Sequence, residues 1–345
     1  MSSKIYHLSG SAIDAMYKAT EAARHSIYWE SYIFRNDVLP AHDFIEIFAR
    51  KAREGLRVVI ILDGFGSADL PREERAKLIS AGVELLFFSS WFRRIHRKLL
   101  IIDERVAFFG GVNVGKQYIR WLDLQMRVSG RFVNTLLRSF AKSYALCGGL
   151  DKRLLEMKQA DGPVKRLKMR LVEHWPLLGK LGLRKHYEAR IRTAKQRLVI
   201  VSPYFIPHRW LIDALLRAKR RGVSVEVILP RDTDPKIGSV VNYIQAERLY
   251  RKGLHFFFTK EMIHAKALLV DDIEGMIGSQ NIDALSFDHN VEMGAVFRQK
   301  RLVADLERIV ARWKLQSIPY EKLDWHPKWY HKALGKLIDI LQPVL

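Results

Sequence analysis

The chain has 345 residues, and its 48% hydrophobic and 28% charged content is typical of folded globular proteins, which excludes a largely disordered chain. The single cysteine, Cys147, excludes an intramolecular disulfide and a cysteine-only zinc site, and it favours a reducing compartment. The formal net charge of +21 predicts attraction to polyanions, either nucleic acid or an anionic membrane surface. The N-terminus lacks the pattern of a signal peptide, and no apolar run approaches the roughly 20 residues that span a bilayer.

The first half of the chain alternates helical and strand-like patterns. Apolar residues at helical spacing predict helices over 11–24, 41–54, 71–81 and 131–146. Apolar or alternating runs predict strands over 25–34, 57–63, 83–88, 98–103, 106–109 and 123–129. Gly55 follows the second helix, where a left-handed cap is expected.

The second half repeats this order. Helices are predicted over 186–195, 208–221 and 239–252, and strands over 197–205, 223–229 and 254–258. Matched points, such as Gly55 with Gly222 and His96 with His264, are separated by 167 or 168 residues. The sequence therefore predicts an α/β fold of two duplicated halves, each a mostly parallel sheet flanked by helices, related by a pseudo-twofold axis.

One motif occurs once in each half. The first copy reads His96-Arg97-Lys98-Leu99-Leu100-Ile101-Ile102-Asp103, followed by Gly110-Gly111-Val112-Asn113. The second copy reads His264-Ala265-Lys266-Ala267-Leu268-Leu269-Val270-Asp271, followed by Gly278-Ser279-Gln280-Asn281. In both copies the lysine follows the histidine by two residues, the aspartate by seven and the asparagine by seventeen, a match that chance hardly produces.

These residue types suit displacement at a phosphodiester. Residues two apart on a strand point to the same face, so His96 and Lys98 are expected to lie together, as are His264 and Lys266. If the halves meet, two lysines and two asparagines surround one phosphate, while one neutral and one cationic imidazole serve as nucleophile and acid. The residues predicted to hold the phosphate are Lys98, Asn113, Lys266, Ser279 and Asn281.

The acidic residues are expected to divide into two groups. Asp103 and Asp271 complete the catalytic motif of His96, Lys98, His264 and Lys266, but at the ends of strands they are expected to fix the backbone through an ion pair. Asp123 and Glu292 lie 27 and 28 residues after the motif histidines, and they are the better candidates to orient the imidazoles. Arg97 is expected to point away from the site, and His174, His186, His208 and His289 are expected to be surface or packing residues.

The motif resembles the twin HxKxxxxD signature of the phospholipase D superfamily. From about residue 10 to 310 the chain is similar to bacterial cardiolipin synthases of the type without N-terminal transmembrane helices. The stretches that carry this resemblance are Trp29-Glu30-Ser31-Tyr32-Ile33-Phe34, Leu62-Asp63-Gly64-Phe65-Gly66-Ser67, Ser202-Pro203-Tyr204-Phe205-Ile206-Pro207 and Asn290-Val291-Glu292.

The resemblance implies transfer of a phosphatidyl group from phosphatidylglycerol to the hydroxyl of a second phospholipid, in two steps through a covalent phosphohistidine. It assigns the nucleophile to His96 and the acid and base roles to His264. It implies no metal and no organic cofactor, because the lysines neutralise the phosphate. It further implies a cytoplasmic protein that is peripherally associated with the inner face of the cell membrane and acts on phospholipid substrates.

Four regions are predicted along the chain. Residues 1–147 and 186–315 form the two halves, 148–185 form a basic linker with Trp and Leu, and 316–345 form an amphipathic tail. The linker and tail combine basic residues with Trp and Tyr, as interfacial membrane segments do. A plain connection and a tail packed on the core remain open alternatives.

Two further functions use the same site. A hydrolytic phospholipase D results if water reaches the phosphohistidine. A phosphodiesterase acting on nucleic acid would suit the net charge of +21, but the aromatic residues Trp91 and Phe92 before the first motif and the apolar tail favour lipid.

Overall fold

A computed structural model describes residues 2–38, 42–159 and 168–325. The chain divides into two compact units, Met1–Leu167 and Lys168–Leu345. Each unit contains one sheet, and a large hydrophobic core cluster lies in each unit. Within the described residues no helix is long and apolar enough to cross a membrane.

The first unit contains a seven-stranded sheet with helices. Its elements follow in the order β1 Ser3–Leu8, α1 Ser9–Glu21, β2 Ser26–Ser31, α2 Phe44–Arg53, β3 Arg57–Asp63, α3 Arg72–Ser80, β4 Glu84–Phe88, β5 Leu99–Ile102, β6 Val106–Gly110, β7 Leu122–Ser129, α4 Phe132–Leu146 and α5 Lys152–Gln159. The strand order in the sheet is β1-β7-β6-β5-β2-β3-β4.

The second unit contains a nine-stranded sheet of related design. Its elements are β8 Met169–Trp175, β9 Lys180–Leu181, α6 Gly182–Thr193, β10 Arg197–Val201, α7 Arg209–Arg220, β11 Ser224–Pro230, α8 Ile237–Tyr250, β12 His255–Thr259, β13 Ala267–Val270, β14 Glu274–Gly278, β15 Glu292–Phe297, α9 Lys300–Leu315 and β16 Ile318–Pro319. The strand order is β16-β12-β11-β10-β13-β14-β15-β8-β9.

Local sequence explains where the predicted elements begin and end. Helix α2 begins after Asp43, whose carboxylate accepts a hydrogen bond from the backbone N–H of Glu46. It ends before Gly55, whose φ of +89° is the left-handed conformation that glycine adopts without steric cost. Strand β3 that follows is buried along nearly its whole length, as its continuous apolar sequence predicts.

The duplication is confirmed, but the prediction of mostly parallel sheets is wrong. Among the described strands, parallel pairing is confined to β2-β3-β4 and β10-β11-β12, and the other neighbours are antiparallel. The reason is the short connection within each motif: β5 and β6 are joined by a turn in which Asp103 and Glu104 have φ values of 50° and 54°. So short a turn joins antiparallel strands only, because parallel strands need a longer crossover such as α2.

The second sheet extends into the segment that was predicted to be a linker. Strand β8 pairs with β15, with Glu292 opposite His174, and β9 pairs with β8. The predicted linker over 148–185 is therefore corrected for 169–181, because this segment contains two strands of the second sheet and β8 buries most of its apolar side chains. The linker residues 160–167 and the tail residues 326–345 lie outside the described residues.

Candidate active site

The topology of the first unit brings the motif residues to one edge of the sheet, which we call the motif edge. Here β2, β3 and β6 end, while β5 and β7 begin. The backbone N–H of Gly110 donates to the carbonyl of Lys98, and that of Gly111 donates to the carbonyl of Leu124. His96, Asn113 and the first residues of β7 are thus held on neighbouring strand ends.

The second unit has a motif edge of the same construction. The backbone N–H of Gly278 donates to the carbonyl of Lys266, and that of Ser279 donates to the carbonyl of Met293. The three strand ends that carry His264, Asn281 and Glu292 are therefore fixed by matching hydrogen bonds in both units.

Both motif histidines are buried, and their surroundings differ. His96 is 7% exposed, and its ring lies edge-on to the ring of Tyr32 at a centroid distance of 4.7 Å. The Nζ atom of Lys98 donates to the carbonyl of His96 at 2.7 Å and lies 5.0 Å from the centre of the Tyr32 ring. An aromatic wall and an ammonium group thus flank the first imidazole.

The second imidazole has a closer contact with its lysine. His264 is 6% exposed, and Nζ of Lys266 lies 2.9 Å from its Nε2. An ammonium group has only hydrogens to offer, so Nε2 of His264 accepts in this contact. In both copies the lysine donates to the carbonyl of its own histidine, and in the second copy it also contacts the ring nitrogen Nε2.

Each of the two motif asparagines has a buried side-chain oxygen without a hydrogen-bond partner among the described residues. Asn113 and Asn281 are 4% and 8% exposed, and the Oδ1 atom of each has no hydrogen-bond partner among residues 2–38, 42–159 and 168–325. An unpaired buried polar atom costs free energy, so it marks a place where a bound group completes the hydrogen bonding. Rotation of the Asn113 amide presents N–H₂, the group that a phosphate needs, whereas the N–H₂ group of Asn281 already donates to Asp283.

The predicted orienting acids, Asp123 and Glu292, are buried at the motif edges. A Cβ atom built on Gly111 would lie 2.2 Å from Oδ1 of Asp123, so the carboxylate occupies the space of a side chain at that position. In the second unit the matched residue is Ser279, and its hydroxyl donates to Oε2 of Glu292, while the Ser286 hydroxyl donates to Oε1 at 2.9 Å. The Gly-to-Ser difference between the motifs thus follows from how each acid is accommodated.

Asp103 and Asp271 lie at the opposite ends of their strands from the histidines. The four residues of β5 alone span roughly 13 Å, which separates the Asp103 carboxylate from the motif edge. Asp103 accepts from the backbone N–H groups of Arg24, His25 and Ser26. Placing Asp103 with the catalytic residues is therefore corrected, and backbone N–H groups take the place of the expected ion pair.

Asp271 repeats this arrangement in the second unit, accepting from the backbone N–H groups of Lys195, Gln196 and Arg197. Burial raises the pKa of both carboxyls, but the three backbone donors outweigh it and hold each pKa below its usual value. The same correction applies to Asp271: each aspartate fixes the start of the strand that pairs with its motif strand, β2 in the first unit and β10 in the second.

Three residues near the motif edges were not predicted. Tyr32 follows β2 and contacts His96. Asp63 ends β3, and its Oδ2 accepts from the backbone N–H of Ile95, the residue before His96, at 2.9 Å. Asp283 is buried beside Asn281, and burial raises its pKa to about 6. Tyr32 and Asp63 belong to the sequence stretches that carry the family resemblance, which was the signal available for them. Asp283 follows Asn281 by two residues, so its signal was nearness to the motif in sequence.

Arg97 and two of the histidines that were expected to be packing residues, His174 and His186, are buried. Arg97 is fully buried, where its guanidinium faces Glu30 at 3.4 Å. His174 is buried between the carbonyl of Phe287 and the backbone N–H of Leu183, and burial lowers its pKa. Burial also lowers the pKa of His186, to about 3. No group of three or more His, Cys, Asp or Glu side chains in the described part of the chain could hold a metal ion.

Each motif edge thus offers an imidazole, an ammonium group and an amide within one unit. An imidazole can attack phosphorus or move a proton, and the cation and amide can stabilise the phosphoryl oxygens. A single edge has one histidine and one lysine, which is half of what a displacement with an acid and a nucleophile requires.

Sequence comparison finds relatives over most of the chain. The sequence model of a family described as "Cardiolipin synthase, PLD-like domain" matches residues 16–137 and 187–313. A cardiolipin synthase from Alkalihalophilus pseudofirmus is 30% identical, covering 95% of this chain and 69% of that protein. One from Halalkalibacterium halodurans is 29% identical with the same coverage, and cardiolipin synthase A from Pseudomonas putida is 29% identical, covering 96% and 72%.

The fold also has a close match among solved structures. The crystal structure of phosphatidylserine synthase from Haemophilus influenzae superposes with a TM-score of 0.80, covering 99% of this chain and 95% of that one. The two sequences are 16% identical, so this likeness concerns the fold alone.

Proposed function

The chain belongs to the cardiolipin synthase family with PLD-like domains, and from this we propose that it joins phosphatidylglycerol to a second phospholipid through a phosphohistidine. It is a phosphatidyltransferase of the cardiolipin synthase type, related over most of its length to proteins of that name. The observation that carries the mechanistic proposal is the duplication: each motif edge supplies one buried histidine beside one lysine.

In the first step, a ring nitrogen of His96 attacks the phosphorus of phosphatidylglycerol and forms a P–N bond. The P–O bond to glycerol breaks, and His264 gives its proton to the departing oxygen, so that glycerol leaves as a neutral alcohol. Lys98 and Lys266 offset the charge on the phosphoryl oxygens, and Asn113 and Asn281 are proposed to hold these oxygens in place. Ser279 is proposed to join them by turning its hydroxyl from Glu292 to the phosphate.

In the second step, the hydroxyl of the acceptor phospholipid gives its proton to His264 and attacks the phosphorus, and the P–N bond breaks. His264 thereby regains the proton that it lost, and His96 returns to its free form. In either step, Lys266 must release Nε2 of His264 before this nitrogen can carry the transferred proton. Asp123 and Glu292 are proposed as positioning residues for the imidazoles.

The substrates lie in a membrane, and we propose that the protein acts peripherally on the inner face of the cell membrane. The net charge of +21 supports this, because the anionic lipid surface attracts basic proteins. The proposed reaction uses no metal ion and no organic cofactor.

The proposed reaction is tested with purified protein and vesicles of phosphatidylglycerol, with and without phosphatidylethanolamine. We expect cardiolipin and free glycerol from the wild type and from His255→Ala, which removes an exposed histidine at the start of β12, outside both motifs. His96→Ala and His264→Ala should each lower the rate at least about 10³-fold, because each removes a group that the chemistry needs.

The other outcomes identify the alternatives. Phosphatidic acid as the sole product would make the enzyme a hydrolase, and cleavage of DNA with inert lipid would make it a nuclease. With phosphatidylglycerol labelled at phosphorus, label on His96 in quenched protein supports the assigned nucleophile, and label on His264 reverses the two roles.

A further inference from the structure

A loop before the first motif exposes large aromatic side chains. Trp91 and Phe92 are 84% and 70% exposed, and Phe65, after β3, is 68% exposed. We call Phe65 and residues 89–94 the aromatic loop. Neighbouring Trp and Phe side chains are rarely exposed to water on a protein surface. Where they are, they mark a site that binds an apolar partner or a membrane.

The duplicated half shows that the fold does not need these side chains. Strand β4 ends at Phe88 and its counterpart β12 ends at Thr259, so seven residues (89–95) precede His96 but only four (260–263) precede His264. Both segments lead to a buried isoleucine and then to the motif histidine. Because the second copy reaches its motif through a shorter connection without Trp or Phe, the aromatic residues of the first copy serve a purpose other than folding.

The aromatic loop is also basic. Arg93 is exposed, and Arg94 lies over the ring of Phe65 with its Cζ 4.3 Å from the ring centre. The exposed guanidinium of Arg93 is available to an anionic partner. The charge of Arg94 also acts on Asp63, and its cation–π contact joins Phe65 to the rest of the loop.

The loop is held in place by its own contacts. The Nη1 atom of Arg94 donates to the carbonyl of Ser90 at 2.8 Å, and the Trp91 and Phe92 rings meet at a centroid distance of 6.1 Å. Ile95 follows, with its backbone N–H bound to Asp63 at 2.9 Å, and the next residue is His96. The aromatic side chains are therefore anchored beside the motif edge of the first unit.

We infer that the aromatic loop inserts Trp91, Phe92 and Phe65 into the headgroup layer of an anionic phospholipid bilayer and so brings the motif edge to its substrate. Trp and other aromatic side chains favour this layer, and arginines beside them attract anionic headgroups. The inference rests on the proposed function in that the substrate is a bilayer lipid. It adds the surface by which the enzyme reaches that lipid.

The test compares Trp91→Ser/Phe92→Ser with a matched control, Leu150→Ser/Leu315→Ser. The control removes two leucines that are 85% and 87% exposed and belong to neither the aromatic loop nor a motif, so both variants lose two exposed apolar side chains. Each protein is measured for sedimentation with phosphatidylglycerol–phosphatidylcholine vesicles. Each is also assayed on these vesicles and on short-chain phosphatidylglycerol below its micelle concentration.

We expect the loop variant to bind vesicles at least about tenfold more weakly, and its turnover on vesicles to fall similarly, because two apolar side chains no longer leave water. Its turnover of the short-chain lipid should stay within about twofold of wild type, which also reports that it is folded. The control should match wild type throughout. Equal vesicle binding by the loop variant, or an equal loss in the control, would overturn the inference.

The two proposals fail in different ways. If wild type turns over neither form of phosphatidylglycerol, the proposed function fails, while sedimentation still decides whether the aromatic loop binds the bilayer. If wild type turns over both forms and the loop variant does so equally well, the function stands and the role of the loop is lost.

Discussion

Asp103 in the first unit and Asp271 in the second have the same role, which is to hold the backbone in place. Each caps three backbone N–H groups at the end of its strand opposite the motif edge. Both residues have a positive φ, which Asp and Asn tolerate better than other residues with a side chain. A carboxylate can therefore belong to a catalytic sequence motif and still act only on the backbone.

Replacing either aspartate by asparagine should lower stability and spare the chemistry. Asp103→Asn keeps the backbone conformation but weakens charge-assisted hydrogen bonds, so we expect the free energy of unfolding at pH 7 to fall by about 1–2 kcal/mol. Urea unfolding measures this change, and kcat should stay within about twofold of wild type because no reacting group is altered.

The pH dependence gives a second readout for Asp103. Its folded-state pKa is lowered, so its stabilisation is complete above the unfolded pKa of about 3.9 and is lost as pH falls through the folded pKa. The stability gap between wild type and Asp103→Asn should therefore narrow below about pH 4. A gap that is constant with pH, or a hundredfold loss of kcat at unchanged stability, would contradict this role.

At the scale of single elements, the two units fill one matching pair of buried positions with different residue types. In the first unit Arg97 faces Glu30, and both side chains are fully buried. Strand register places Ala265 and Val201 at the matching positions in the second unit, and both are buried. A buried ion pair in one copy thus corresponds to an apolar pair in the other.

This correspondence predicts a strongly coupled pair. Arg97→Ala should lower the free energy of unfolding by about 3–5 kcal/mol, because it leaves the charge of Glu30 buried without its partner. Adding Glu30→Val, which copies the second unit, should recover at least half of that loss. A double-mutant cycle by urea unfolding checks this, and losses that simply add would show that the ion pair is not coupled in this way.

For the whole molecule, the proposed chemistry needs both motif edges, and each unit offers one histidine. We expect both to come from the same chain. A mixture of His96→Ala and His264→Ala proteins should then have no more activity than either alone, because neither chain has both groups.

The two variants are mixed in equal amounts, once as folded proteins and once before refolding together, and the vesicle assay measures the activity of each mixture. Activity restored to about a quarter of wild type would be the statistical yield of sites shared between two chains, and it would show that the catalytic pair forms across an oligomer. The wild-type protein mixed with His255→Ala provides the reference for full activity.

The sequence by itself determined the duplication, the order of helices and buried strands, and the two histidine–lysine motifs. These features are readable because local periodicity and residue spacing encode them without reference to distant parts of the chain. The resemblance carried by the motifs also identified the family that the comparisons confirm.

Only the tertiary structure decided which motif residues lie together. Sheet pairing moved Asp103 away from His96 despite their nearness in sequence, and it brought Tyr32 to His96 from another strand. Sheet pairing also decided which neighbouring strands run parallel and which antiparallel, so the sheets are mixed. Part of the expected linker forms strand β8. Exposure is likewise a property of the folded chain: an aromatic pair such as Trp91-Phe92 is equally consistent with a core until its neighbours are in place.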